Sequence, residues 1–97
     1  MISVIAGKYK GRKLYNMKNI HVRPTQAKIR KSIFQILEQF DGKEVLDLYA
    51  GLGTLGIEAM SRGASRAVFV EQNRCIFKVL KKNIELFDYE KCDLFLS

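Results

Sequence analysis

The sequence predicts an α/β fold, a parallel sheet with right-handed crossovers preceded by a β-hairpin and a helix. Three observations carry this prediction. The apolar run Val45-Leu46-Asp47-Leu48 breaks into glycines at 51, 53 and 56, spaced G-x-G-x-x-G, as a strand does when it turns into a helix beside a ligand. Further apolar runs at 67–70 and 94–96 are separated by helical periodicity, and short strand–helix alternation of this kind builds parallel sheets. Gly7 and Gly11 punctuate the opening segment in the manner of a hairpin.

The elements follow in order. Residues 2–15 form the hairpin, whose turn presents Lys8, Lys10, Arg12, Lys13 and Tyr9. A polar link over 16–22 leads to Arg23-Pro24-Thr25, where Thr25 can cap a helix. In that helix Ile29, Ile33, Ile36, Leu37 and Phe40 recur at helical spacing and Lys28, Lys31, Gln35 and Glu38 occupy another face, until Asp41-Gly42 ends it. A strand over 45–49 comes next, with Val45, Leu46 and Leu48 suited to burial on both faces. A helix from about 54 to 62, stopped by Gly63, precedes a strand ending at Glu71. A second helix, from about 74 to 86, places Ile76, Leu80, Ile84 and Phe87 on its buried side, and residues 94–96 begin or form a third strand. Residues 1–43 thus make an extension, and 44–97 belong to a sheet domain.

Two acids define the chemistry. Glu71 closes the strand after the glycine loop, where a carboxylate can accept both hydroxyl hydrogens of a ribose, which implies an adenosine-containing cofactor. Asp47 lies four residues before Gly51, where it would repel a dinucleotide's pyrophosphate but attract the sulfonium and ammonium of S-adenosylmethionine. The plainer reading makes Asp47 a turn cap and Glu71 a solvated acid. A nicotinamide-dependent oxidoreductase fragment is permitted by the glycines and Glu71, but disfavoured by Asp47.

Val4-Ile-Ala-Gly-Lys-Tyr-Lys-Gly-Arg-Lys-Leu14, Arg23-Pro-Thr25, Ser32-Ile-Phe-Gln-Ile-Leu37, Leu46-Asp-Leu-Tyr-Ala-Gly51 and Leu55-Gly-Ile-Glu-Ala-Met-Ser-Arg-Gly-Ala64 resemble, in order and spacing, the RsmD-type bacterial methyltransferases. Leu52 departs from the small residue usual between the first two glycines, and Tyr49 stands where Phe is common. The resemblance implies a Rossmann-like S-adenosylmethionine-dependent methyltransferase acting on a guanine exocyclic amine of small-subunit ribosomal RNA. It places the cofactor along Asp47, Tyr49, Gly51, Gly53, Thr54 and Gly56 and at Glu71, with Gln72 and Asn73 near the adenine and Arg23 and Thr25 bordering the cleft. The family's catalytic Asn- or Asp-Pro-Pro-aromatic motif has no counterpart here, since the only proline is Pro24. No catalytic residue is therefore assigned. The expectation is a front half that is inactive and marginally folded alone, with an apolar edge at its first sheet strand open to self-association.

Charge agrees with an RNA partner. The chain has 17 Lys and Arg against 10 Asp and Glu. Residues 1–43 hold ten basic and two acidic side chains, a net of +8, whereas residues 44–97 hold seven and eight, a net of −1. Lys8, Lys10, Arg12 and Lys13 are the candidate phosphate contacts. The alternatives are a solvated basic face that keeps the protein soluble, and a noncatalytic RNA-binding module with a vestigial loop. Cys75 and Cys92 lack metal-ligand spacing and read as reduced cytosolic thiols, and the single histidine, His21, lies in a polar stretch. No metal site, membrane span or signal peptide is expected, and the protein reads as cytoplasmic.

Overall fold

The computed structural model describes residues 2–17, 31, 33, 40–87 and 89–97. Strands β1 (Ile2–Ser3) and β2 (Lys13–Leu14) pair antiparallel, Ile2 opposite Leu14. They form the expected hairpin, although its paired strands are only two residues long. The intervening chain is held instead by turns, with Val4 N–H donating to Arg12 O at 2.9 Å and Gly11 N–H to Val4 O at 2.8 Å. Gly7 and Gly11 take φ of 86° and 84°, a left-handed conformation natural to glycine. Tyr9 is not presented outward with the lysines. Its ring packs against Phe87 at 4.8 Å between centroids, because an aromatic face gains more from that contact than from water.

The helix expected after Thr25 lies largely outside the described residues, as do Thr25, Arg23, His21, Lys28, Ile29, Gln35, Ile36, Leu37 and Glu38. Lys31 and Ile33 are helical, Lys31 exposed and Ile33 half-buried, and Phe40 packs on the core.

The second sheet is parallel among the described residues, in the order β3 (Glu44–Asp47), β4 (Arg66–Glu71), β5 (Cys92–Leu96). Helix α1 (Thr54–Ser61) connects β3 to β4; α2 (Arg74–Glu85) and a 3-10 turn (Tyr89–Lys91) connect β4 to β5. Ala67 and Phe69 are buried with Ile57, Met60, Leu80 and Ile84, so residues of both helices share one core on that side of the sheet. Ile76 and Phe87 are only half-buried at its margin.

Two expectations need correction. Strand β3 ends at Asp47, and Leu48 and Tyr49 belong to a turn. Nor is β3 covered on both faces, since Leu46 is 60% exposed, and Leu48 in the turn beyond it is 57% exposed. The register explains this. Leu46 lies opposite Val68, and Val70 opposite Phe95, so these residues share the sheet face away from Phe69, while the apolar residues of α1 and α2 gather on the Phe69 side.

Candidate cofactor site

The strand ends and the glycine loop build the site. After Asp47 the chain turns through Leu48 and Tyr49, then pins itself to the next strand by Ala50 N–H donating to Val70 O at 3.0 Å. Gly53 N–H donates to Ala50 O at 2.8 Å, closing the loop that starts α1.

The three glycines do separate jobs. A Cβ on Gly51 would meet nothing within 4 Å, so this point of the loop is open to a ligand. Gly53 caps α1 in the left-handed region with φ 91°, and a Cβ there would come to 2.8 Å from Leu80. A Cβ on Gly56 would reach 2.2 Å from the Phe69 ring, so the third glycine lets helix and strand pack closely. Leu52, between the first two, is buried, so the unusual residue is accommodated inward.

Asp47 is half-buried, and its carboxyl is held above the ordinary aspartate value of 3.8. Burial is the main cause and the nearby Glu71 charge adds to it, while hydrogen bonds from the backbone of Tyr49 and Gly56 pull the other way. The Gly56 contact sits at the start of α1, where backbone N–H groups favour a negative charge. Asp47 therefore braces the turn after β3 against the start of α1.

Glu71 is tied as well. Its Oε1 accepts from Gly51 N–H at 2.9 Å and its Oε2 from Asn73 N–H at 2.8 Å, so one carboxylate bridges the glycine loop to the start of α2. A carboxylate has about four lone-pair sites, which leaves acceptor capacity for hydroxyl hydrogens. Asn73 caps α2, its Oδ1 accepting from Cys75 N–H at 2.9 Å and Ile76 N–H at 3.0 Å. Gln72 is exposed and Tyr49 is 89% exposed. A small cleft of ≈ 110 Å³ is lined by Leu48, Tyr49, Glu71, Gln72 and Ser97.

The structure thus gathers Asp47, Tyr49, Gly51, Gly53, Thr54, Gly56, Glu71, Gln72 and Asn73 around one sheet edge and loop, with Thr54 itself buried. Arg23 and Thr25, the other two expected members, lie outside the described residues. This arrangement fits S-adenosylmethionine: two carboxylates at neighbouring strand ends, one of them desolvated, flank a loop with open space at Gly51.

The basic hairpin is anchored on the far end of α1. Glu58 has no solvent exposure, and its carboxylate accepts from Ile5 N–H at 2.9 Å, Ala6 N–H at 3.1 Å and Arg62 Nε at 3.0 Å. Ser61 Oγ accepts from Tyr9 N–H at 3.0 Å and donates to Ala6 O at 2.6 Å, and a Cβ on Gly7 would collide with the Ser61 carbonyl. Lys8, Lys10, Arg12 and Lys13 are exposed. Arg12 is also employed locally, lying 5.2 Å over the Tyr9 ring and donating to Leu86 O at 3.4 Å, and Lys8 Nζ lies 5.0 Å from the Tyr9 centroid. The roles of Glu58, Ser61 and Asn83 were not foreseen from the sequence. A polar residue on the apolar stripe of an amphipathic helix, as at Asn83, was the available signal. Among the described residues no His, Cys, Asp and Glu cluster could hold a metal, and no helix is long and apolar enough to cross a membrane.

Comparison with known proteins agrees with this architecture. Residues 2–96 match the family described as Conserved hypothetical protein 95. Ribosomal RNA small subunit methyltransferase D of Buchnera aphidicola (subsp. Acyrthosiphon pisum) is 43% identical over 86 residues, 87% of this chain and 44% of that protein. Its Escherichia coli namesake is 37% identical over 84 residues, 86% of this chain and 42% of that one. The solved structure of "Putative methyltransferase yhhF" from Escherichia coli superposes with a TM-score of 0.86 at 31% identity, over 99% of this chain and 52% of the other. The chain spans about half the length of the relatives it matches. With residues 2–96 matched, the chain belongs to the Conserved hypothetical protein 95 family, the RsmD-type family its motifs resemble.

Proposed function

We propose that this chain supplies the cofactor-binding half of an S-adenosylmethionine-dependent methyltransferase acting on a guanine exocyclic amine of small-subunit ribosomal RNA in the cytoplasm. The observation that carries the reading is the acid pair. Asp47 and Glu71 stand at adjacent parallel strand ends beside an open glycine loop, and the Glu71 charge adds to the cost of charging Asp47. Such a pair favours a cationic ligand and disfavours a pyrophosphate. Bound there, S-adenosylmethionine supplies a methyl group on a sulfonium sulfur. Asp47 attracts the cationic methionine end, Gly51 lets the backbone approach it, Glu71 accepts from the ribose, and Gln72 and Asn73 border the adenine. By family resemblance Arg23 and Thr25 border the same cleft.

Residues 1–43 act as a basic extension in which Lys8, Lys10, Arg12 and Lys13 contact RNA phosphates, and 44–97 as the cofactor half. Residues 1–97 by themselves transfer no methyl group, because nothing in them matches the motif that orients the amine, and binding without orientation leaves most of the barrier in place. Alone they self-associate through the apolar β3 edge, which size-exclusion chromatography detects.

Calorimetry tests the cofactor reading. S-adenosylmethionine should bind in preference to a nicotinamide dinucleotide, and Asp47→Ala and Glu71→Ala should each weaken it by about 1–3 kcal/mol, the usual cost of losing a charged hydrogen-bond partner. Unchanged affinity in both variants sinks the assignment.

A further inference from the structure

Asn83 lies on the buried face of α2 with 0% exposure. Its Oδ1 accepts from Tyr15 N–H at 2.7 Å, and its Nδ2 donates to Tyr15 O at 3.1 Å and to Leu52 O at 2.8 Å. The first two bonds copy the reciprocal pair that one strand residue makes to another, so the hairpin's exit, one residue beyond Leu14, is tied to α2 by a side chain. The third bond reaches the residue between Gly51 and Gly53. Both amide donors and one lone pair of the oxygen are spent on two segments distant in sequence.

We propose that Asn83 is a positioning residue that holds the glycine loop in register with the basic hairpin, so that cofactor on the loop and RNA on the hairpin stabilise the same arrangement. This rests on the reading of the loop as a cofactor site. Buried amide bonds are costly to leave half made, so release of Leu52 and release of Tyr15 are coupled events. Reciprocity follows. Cofactor binding protects Tyr15, and RNA binding tightens the cofactor by the same factor as the cofactor tightens RNA.

Native-state hydrogen exchange on the full chain, with and without S-adenosylmethionine, tests this. The expected result is slower exchange at the Gly51 and Gly53 amides and, by roughly 5-fold or more, at the Tyr15 amide. The reference is the Gly42 amide, bonded to Gly63 O away from the loop, which corrects for stabilisation of the whole fold. In Asn83→Ser the loop amides should keep their response and Tyr15 should lose it, a change that a merely structural asparagine would not produce. If Asn83→Ser does not fold, the unaltered chain still decides. Protected loop amides with Tyr15 following only the Gly42 reference overturn the proposal. Loop amides that do not respond at all remove the cofactor reading and this proposal with it.

Discussion

The hairpin and the glycine loop are both held by side chains that accept from backbone N–H groups, yet the two attachments differ. At the hairpin the acceptors are Glu58, Ser61 and Asn83, all buried, and the backbone they hold lies more than 50 residues away in sequence. At the loop the acceptors are Asp47 and Glu71, both only half-buried, and they border open space at Gly51 and the exposed Tyr49. A buried acceptor with its partners in place fixes a scaffold. A partly exposed acid with capacity to spare fixes a loop and keeps acceptor sites open towards solvent.

Removing the scaffold acceptor should have the largest effect. Glu58→Ala leaves the Ile5 and Ala6 amides without their acceptor and is expected to cost about 3 kcal/mol in urea unfolding, from penalties of about 1–3 kcal/mol per unsatisfied buried group. Cofactor affinity of the folded fraction should be little changed. An equal loss of cofactor binding would show that the two regions are not separable.

The glycines sharpen the same contrast. Gly56→Ala drives a methyl into Phe69, a fully buried ring, and should cost about 2–3 kcal/mol. Gly51→Ala meets no atom, but φ is 55°, and should cost about 1–2 kcal/mol while weakening S-adenosylmethionine out of proportion to the stability lost. Thermal melts with calorimetry on both variants give the comparison.

Asp47 offers a pH test. Because its folded pKa is raised, chiefly by burial, its favourable contribution is present below the ordinary value of 3.8 and is lost as pH rises through the folded value. Asp47→Asn should therefore be modestly more stable than the unaltered chain at neutral pH, and the advantage should vanish as the pH falls towards 3.8. Cofactor affinity should fall in the same variant. A variant less stable at neutral pH would mean that the Tyr49 and Gly56 hydrogen bonds outweigh desolvation.

The smallest stability effects belong to the exposed lysines. Lys10→Ala should move unfolding by less than about 0.5 kcal/mol, whereas Arg12→Ala should cost more, since Arg12 covers the Tyr9 and Phe87 rings. Each lost phosphate contact should flatten the salt dependence of RNA binding by roughly 0.7–0.9. Equal salt slopes before and after Lys10→Ala would assign that lysine to solvation alone.

Local chemistry made much of this protein legible in its sequence. A hairpin with glycines at its turns, a parallel βαβαβ alternation, the G-x-G-x-x-G loop and the acids at 47 and 71 follow from periodicity, glycine conformations and charge, which act within a few residues. Tertiary structure decided what those residues touch. Leu46 and Leu48 look like core by composition, but β-register turns Leu46 to the face opposite Phe69 and Leu48 falls in the exposed turn beyond the strand. Tyr9 looks presented with its lysines, but Phe87 offers it a ring. Glu58 and Asn83 look like ordinary polar members of charged helices, and only packing places backbone N–H groups from the hairpin against them. A hydrogen bond spanning 50 or more residues leaves no periodic trace in a sequence, because its partner is chosen by the fold and not by the chain nearby.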